Sequence, residues 1–282
     1  MAQAIDLGEP IRGPSALSGD LRRSVQLTLA IARNDFKLRF FGSALGYLWQ
    51  LMRPLMLFGV LYVVFTQIVT VSGTPNFPVA LLLGIVLFTF FAEATSGAVT
   101  CVMDRENMVR KIHFPRMVIP LAVVVTAGFN LALNLVVVFI FAIARGISPS
   151  WGWLALLPLL AILAVFATGM AMLLSALYVR YRDVQPIWDV FLQITFYASL
   201  ILVPYETIRE ESPTLASALL ANPLASVLQE SRHLAIDPAY VNAADAMGGA
   251  PRLLVPLTVA AASFLLGLWV FSREAPRIAE EL

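Results

Sequence analysis

A single cysteine, Cys101, excludes any internal disulfide from this 282-residue chain. Its place at the end of an apolar run suits a small buried side chain better than a reactive thiol. Two histidines, His113 and His233, fall on segments expected on opposite faces of a membrane, so no His-rich metal site is expected within one chain. Lysine is almost missing, with Lys37 and Lys111 set against 17 arginines. Neither lysine follows a glycine, which rules out a Gly-Lys-Ser/Thr phosphate loop; ATP binding of that kind would have to come from another chain. There is no Asp-x-Asp pair to hold a divalent cation against a nucleotide sugar and no Gly-x-Ser-x-Gly elbow. Catalysis within this chain, and any metal site, therefore has little to stand on.

Charge is also scarce, at 13% of residues, while hydrophobic residues reach 59% and the mean hydropathy is +0.82. A bilayer crossing needs about 20 apolar residues. Six segments approach that length: Leu55 to Val71, Val79 to Thr100, Val118 to Ala144, Trp153 to Leu177, Ile187 to Val203 and Leu253 to Phe271. The expected fold is an all-α integral membrane domain of six transmembrane helices. No secretory leader is visible in the first part of the chain, and six spans place both termini on one side. Lysine and arginine decide which side. Seven lie up to Arg53 and four between Arg105 and Arg116; Arg180, Arg182, Arg273 and Arg277 bring that face to fifteen of nineteen. Only Arg145, Arg209, Arg232 and Arg252 fall on the other face, so the termini are expected in the cytoplasm of a cell whose inner membrane holds the protein.

Residues 20–53 are expected to form an amphipathic interfacial stretch, between a flexible cytoplasmic N-terminus (1–19) and the six-span domain (54–272), with a cytoplasmic tail at 273–282. At 100° per residue, Leu21, Val25, Leu29, Ala32, Phe36 and Phe40 share one side and Arg22, Arg33 and Lys37 the other. Such a helix lies in the interface with its cations near phosphates. It either anchors the first span or contacts substrate.

Between the second and third apolar segments stands DRENMVRKIH, which crowds Asp104, Arg105, Glu106, Arg110, Lys111 and His113 into ten positions. Acids come first and bases last, matching a helix dipole, and Pro115 pushes Phe114 out of helical geometry. Asn107 adds polarity, but Met103, Met108, Val109, Ile112 and Phe114 are apolar knobs that water alone does not require. A helix docking a soluble partner has this character. The external stretch Pro204 to Pro251 holds two short helical pieces, Pro213 to Leu220 and Leu224 to Leu234, broken at Asn222-Pro223. Neither can span, so re-entrant or surface-lying gate helices between spans 5 and 6 are expected, with Asn222, Pro223 and Arg232 as gate residues.

Glu93 is the one carboxylate well inside a span, either a functional group or an acid hydrogen-bonded to a neighbouring helix about two turns from the cytoplasmic end. A proton-coupled transporter would carry more than one. Phe88, Phe91, Trp188, Phe196, Tyr197 and Tyr205 are either packing and interfacial-belt residues or rings on which a sugar chain slides; composition does not separate the two.

Four ordered segments resemble the permease subunit of type-2 ABC exporters for cell-surface polysaccharides, the Wzm-like group that includes O-antigen, capsule and teichoic-acid exporters. RNDFKLRFFGSALGYLWQLMRPL (Arg33 to Leu55) looks like that family's interfacial helix and first-span entry, and ENMVRKIHFPRMVIPLA (Glu106 to Ala122) like its coupling region. YVRYRDVQPIWDVFLQ (Tyr178 to Gln193) is similar to its fourth-to-fifth connection and NPLASVLQESRHLA (Asn222 to Ala235) to its external gate helices. YASLILVPY departs from the family's frequent Ser-Pro-Ile, since Ser199 is followed by Leu200 and the proline waits until Pro204.

The resemblance implies a homodimer, each copy paired with an ATP-binding subunit that carries the ATP and magnesium. The exported substrate would be a polyprenyl-diphosphate-linked glycan, an O-antigen or a galactan-type wall polymer. Arg22, Arg33, Lys37 and Arg39 become candidate contacts for the diphosphate. No nucleic-acid partner is expected. Rival readings are a type-2 exporter of drugs or simple lipids, which needs no basic interfacial helix, a membrane-embedded polyprenyl-phosphate enzyme, which needs clustered acids or histidines at one face, and a passive channel, which needs no docking helix.

Overall fold

The computed structural model describes residues 21–40, 46–65, 76–106 and 114–275, and all regular structure among them is helical. In chain order the helices are α1 (Leu21–Phe40), α2 (Gly46–Val63), α3 (Phe77–Val99), α4 (Val118–Ala144), α5 (Gly152–Arg180) and α6 (Val184–Ala198). Four short helices follow, α7 (Tyr205–Glu211), α8 (Pro213–Leu219), α9 (Pro223–Ala235) and α10 (Ala243–Met247), before a 3-10 turn at Ala250–Leu253 leads into α11 (Leu254–Glu274).

α3 is apolar round most of its surface, with Glu93 its one charged residue, and a helix without a polar face belongs inside. It packs against α2, α4, α5, α6 and α9. Leu81, Ile85, Ala94 and Ala98 on it are fully buried. α5 and α11 lie against each other at two glycines. A Cβ on Gly169 would stand 2.5 Å from the backbone nitrogen of Phe264, and one on Gly267 would stand 2.1 Å from the Gly169 carbonyl oxygen. Within lipid, where apolar surface gains little by leaving its surroundings, close backbone approach at small residues is a main source of helix association.

Segments 77–99, 118–144, 152–180 and 250–274 are long and apolar enough to cross a membrane. α2 and α6 are shorter. At 15 residues, α6 rises about 22 Å, less than the roughly 30 Å hydrocarbon layer. It stops at Ala198, five residues before the end expected from hydropathy, because the chain unwinds from Ser199 to Pro204, with Leu200 in the left-handed region at φ 59°. α2 begins at Gly46, inside the stretch expected to be interfacial, so α1 alone forms the amphipathic helix and Arg53 lies within α2. An apolar run marks the middle of a helix, not its ends.

α1 docks on α4: Ala32 is fully buried, the Thr126 hydroxyl donates to the Ala32 carbonyl at 3.4 Å, and Phe36 meets Phe129 edge-on at 5.5 Å between ring centres. At the far end of the bundle α7 to α10 form a cap with its own small core of Leu200, Tyr205, Ala216, Leu220, Ala225, Ala246 and Met247.

Candidate functional site

The 101–117 connection is anchored at both ends. Cys101 and Val102 are buried where it leaves α3, and Phe114, Arg116 and Met117 are buried where it enters α4. Burial pushes the Cys101 thiol up to about 12 and lowers the Arg116 pKa. Residues 101–105 form turns and Glu106 is helical, and the Thr100 hydroxyl donates to Asp104 at 2.7 Å. Arg105 donates to Asp35 of α1 in an ion pair, the one salt bridge among the described residues. Beside it a cavity of about 470 Å³ is lined by Asp35, Leu38, Arg39, Gly97, Cys101, Asp104, Arg105, Val123 and Thr126. Asn107, Met108, Val109, Arg110, Lys111, Ile112 and His113, the heart of the expected docking helix, lie outside the described residues.

Arg22, Arg33, Lys37 and Arg39 are all exposed on α1. Only Arg39 lines the cavity, where Arg105 joins it opposite Asp35 and Asp104. Arg22, Arg33 and Lys37 thus share one outward side of α1 while Arg39 stands apart at the cavity, so the four cations do not converge on one pocket. Glu93 accepts from Gln50 of α2 at 2.5 Å and from Asn130 of α4 at 2.8 Å, tying three helices together through one carboxylate. Asn134, one turn beyond Asn130, donates to the Asn130 carbonyl at 2.9 Å.

The six aromatic candidates divide by burial. Phe91 stacks on Phe166 at 5.0 Å, Trp188 is buried with its indole N–H donating to Thr95 at 3.1 Å, and Tyr205 is buried in the cap with its hydroxyl donating to the Ala246 carbonyl at 2.7 Å. None of these three presents a free face. Phe88 and Phe196 meet edge-on at 4.9 Å and are half-buried, and Tyr197 is 72% exposed. Tyr197 continues an exposed stripe of Ile187, Val190, Phe191 and Ile194 along α6.

In the cap, Arg232 is 1% exposed and donates to the carbonyls of Leu200 at 2.7 Å and Ile201 at 3.3 Å, oxygens that the break after α6 leaves without helical partners. Burial lowers the pKa of Arg232 and raises those of Tyr205 and Tyr240. Asn222 caps α9, its side-chain oxygen accepting from Leu224 N at 3.0 Å, while its amide donates to Ser199 Oγ at 3.3 Å; Pro223 opens the helix and is buried. Glu206 accepts from Gln229 and from Val241 N, each at 3.2 Å, and Trp153 of α5 donates to the Ala235 carbonyl at 3.0 Å.

Sequence reasoning missed Asp35, Gln50, Asn130, Ser199 and Glu206. Asn130 and Asn134 could have been found, because two amides four residues apart in an apolar helix mark one polar stripe. Among the described residues no three His, Cys, Asp or Glu side chains gather in a way that could hold a metal ion.

The sequence profile of the ABC-2 type transporter family matches residues 26–234, from the first turns of α1 to the end of α9. The chain belongs to that family. Among relatives of this ABC-2 type protein, an O-antigen export system permease protein of Myxococcus xanthus is 31% identical over 72% of this chain and 77% of its own length. One of the same description from Klebsiella pneumoniae is 30% identical over 74% of this chain and 79% of its own. A polysialic acid transport protein of Escherichia coli is 24% identical, covering 76% of this chain and 82% of the relative. Membership in the ABC-2 type transporter family implies a membrane setting and an ATP-binding partner on a separate chain.

Proposed function

We propose that this chain is the transmembrane subunit of an ATP-driven exporter that carries a cell-surface polysaccharide, linked through diphosphate to a polyprenyl lipid, across the cytoplasmic membrane. The observation that carries this reading is the similarity to O-antigen export permeases across about three quarters of the chain. The substrates in those names and in that of the polysialic acid transport protein are all glycans.

The working unit is a homodimer with two ATP-binding subunits that carry ATP and magnesium. Six crossings place both termini in the cytoplasm, with α2 and α6 as the two short ones; fifteen cations on one face support that orientation. The ATP-binding subunit docks on residues 104–114, between buried anchors, and α1 lies in the cytoplasmic interface with Arg22, Arg33, Lys37 and Arg39 toward lipid-linked diphosphates. A second copy covers the exposed stripe of α6 from Ile187 to Ile194, and the glycan passes between the copies along Phe88, Phe196 and Tyr197. The cap of α7 to α10 closes the external end, and Asn222, Pro223 and Arg232 hold it to the break after α6.

The reading excludes catalysis by this chain; the relatives are named as permeases and transport proteins. The test is co-purification. The solubilised protein retains an ATP-binding subunit, and Arg110→Glu combined with Ile112→Asp releases it and stops surface glycan. If no ATPase ever accompanies the protein and the double variant exports normally, the exporter reading is wrong.

A further inference from the structure

The ion pair between Arg105 and Asp35 joins two elements far apart in sequence. Arg105 lies in the turn at the start of the docking segment; Asp35 stands on α1. Both side chains keep about a fifth of their surface open, at 21% and 23%. Pairs so placed contribute little to stability. Their value is positional, and three features make this one a transmitting contact. The turn carrying Arg105 is fixed to the bundle by buried Cys101 and Val102, so it cannot swing freely. α1 is seated along α4 through buried Thr28 and Ala32 and through Phe36, with Leu27 and Ile31 against the core, so a displacement applied at Asp35 moves the helix as one body over α4. The 470 Å³ cavity lies on the side between them and leaves room for that movement. A second nitrogen of the same guanidinium, Nη1, is buried without a partner among the described residues, and among those residues Asp35 is the one group that holds the guanidinium.

Resting on the exporter reading, we infer that Arg105 and Asp35 form a strut that carries the movement of the docked ATP-binding subunit into the interfacial helix α1. A push on the docking segment is delivered through Arg105 to Asp35, and α1 shifts over the cavity in step with the ATP cycle. Both are positioning residues. They touch neither nucleotide nor glycan.

The test uses the full complex with its ATP-binding subunit, in cells lacking the resident copy, and reads surface glycan per ATP hydrolysed. Asp35→Arg and Arg105→Asp each lower that ratio about tenfold, within the usual span of coupling between sites, and the double reversal restores it. The uncharged set, Asp35→Asn, Arg105→Gln and their combination, gives a second reading independent of any folding defect caused by charge reversal. The double substitution is no worse than either single one, because both remove the same contact. Single variants with the wild-type ratio, a double reversal that stays uncoupled, or additive losses in the uncharged set would each overturn the strut while leaving the exporter reading intact. A wild-type chain that binds no ATPase would overturn both.

Discussion

Glu93 holds α2, α3 and α4 through two amide donors, Gln50 at 2.5 Å and Asn130 at 2.8 Å, and Glu93→Gln tests how much that junction contributes. Glutamine keeps the shape and one acceptor oxygen. Its amide then faces an amide of Gln50 or of Asn130, so one hydrogen bond is lost and two donors are opposed. In a soluble core a donor left unsatisfied costs about 1–3 kcal/mol. In membrane bundles measured side-chain bonds average about 0.6 and reach about 1.7 kcal/mol, because the separated helices find other partners. The lower scale governs here, and the expected loss is about 0.6–1.7 kcal/mol, a shift of a few degrees in melting temperature for a chain of this size. Tryptophan fluorescence during heating in detergent reads it, since Trp49 lies beside Gln50 in sequence and Trp188 donates to Thr95 on α3. Asn130→Asp in the Glu93→Gln background reinstates the pairing in reverse: the amide introduced on α3 donates to the carboxylate introduced on α4, and the oxygen of that amide accepts from Gln50. Recovery of most of the lost degrees is expected. A Glu93→Gln protein that melts with the wild type, or a double variant that melts lower than the single, would refute the junction as described.

Other consequences are equally direct. Gly267→Leu forces side-chain atoms into the Gly169 backbone, 2.1 Å from the position of the first carbon, and is expected to separate α5 from α11 and reduce the yield of folded protein; Gly59→Ala, with open space around its Cβ, is the silent control. Cys101, its thiol held up to about 12 by burial, is expected to react with maleimide at pH 8 roughly a thousandfold more slowly than an exposed thiol of pKa about 8.5, because so little thiolate exists. Raising the pH toward 12 or unfolding the protein removes the protection, and fast labelling of the folded protein at pH 8 would contradict the buried placement. Arg232→Met leaves the Leu200 and Ile201 carbonyls without their donor, and hydrogen exchange at residues 199–203 is expected to accelerate at least several-fold while α3 and α4 stay protected. Uniform acceleration through the whole chain would show that Arg232 supports the global fold, not the cap.

The helices that cross the bundle were legible to within a turn. α4 occupies the segment expected from hydropathy, and α3, α5 and α11 differ from it by one to three residues at each end, since a continuous apolar run is what a lipid-facing helix requires. α8 and α9 were equally visible, because Ser212-Pro213 and Asn222-Pro223 are strong starts. α7 and α10 were not. They have five to seven residues and are held by long-range bonds such as Tyr205 to Ala246, for which periodicity has no signal. The truncation of α6 escaped for the same reason: hydropathy continues through Leu200 to Val203, and only the buried arginine that satisfies the freed carbonyls shows that the helix has ended.

Among candidate residues, the sequence pointed to Glu93 as an intramembrane acid but not to its donors. Aromatic type alone could not divide buried Phe91, Trp188 and Tyr205 from exposed Tyr197, because burial depends on which helix stands opposite. Asp35 was hidden because its partner is 70 residues away.

The central claim is that this chain exports a lipid-linked glycan under the drive of a separate ATPase, and the most direct measurement is a trap. The permease is paired with an ATP-binding subunit unable to hydrolyse ATP, and lipid extracts from those cells are analysed by mass spectrometry. Accumulation of a polyprenyl-diphosphate glycan on the cytoplasmic side, together with loss of the matching surface polymer, is the predicted result. Surface polymer at normal levels, with no lipid-linked intermediate accumulating, would contradict it.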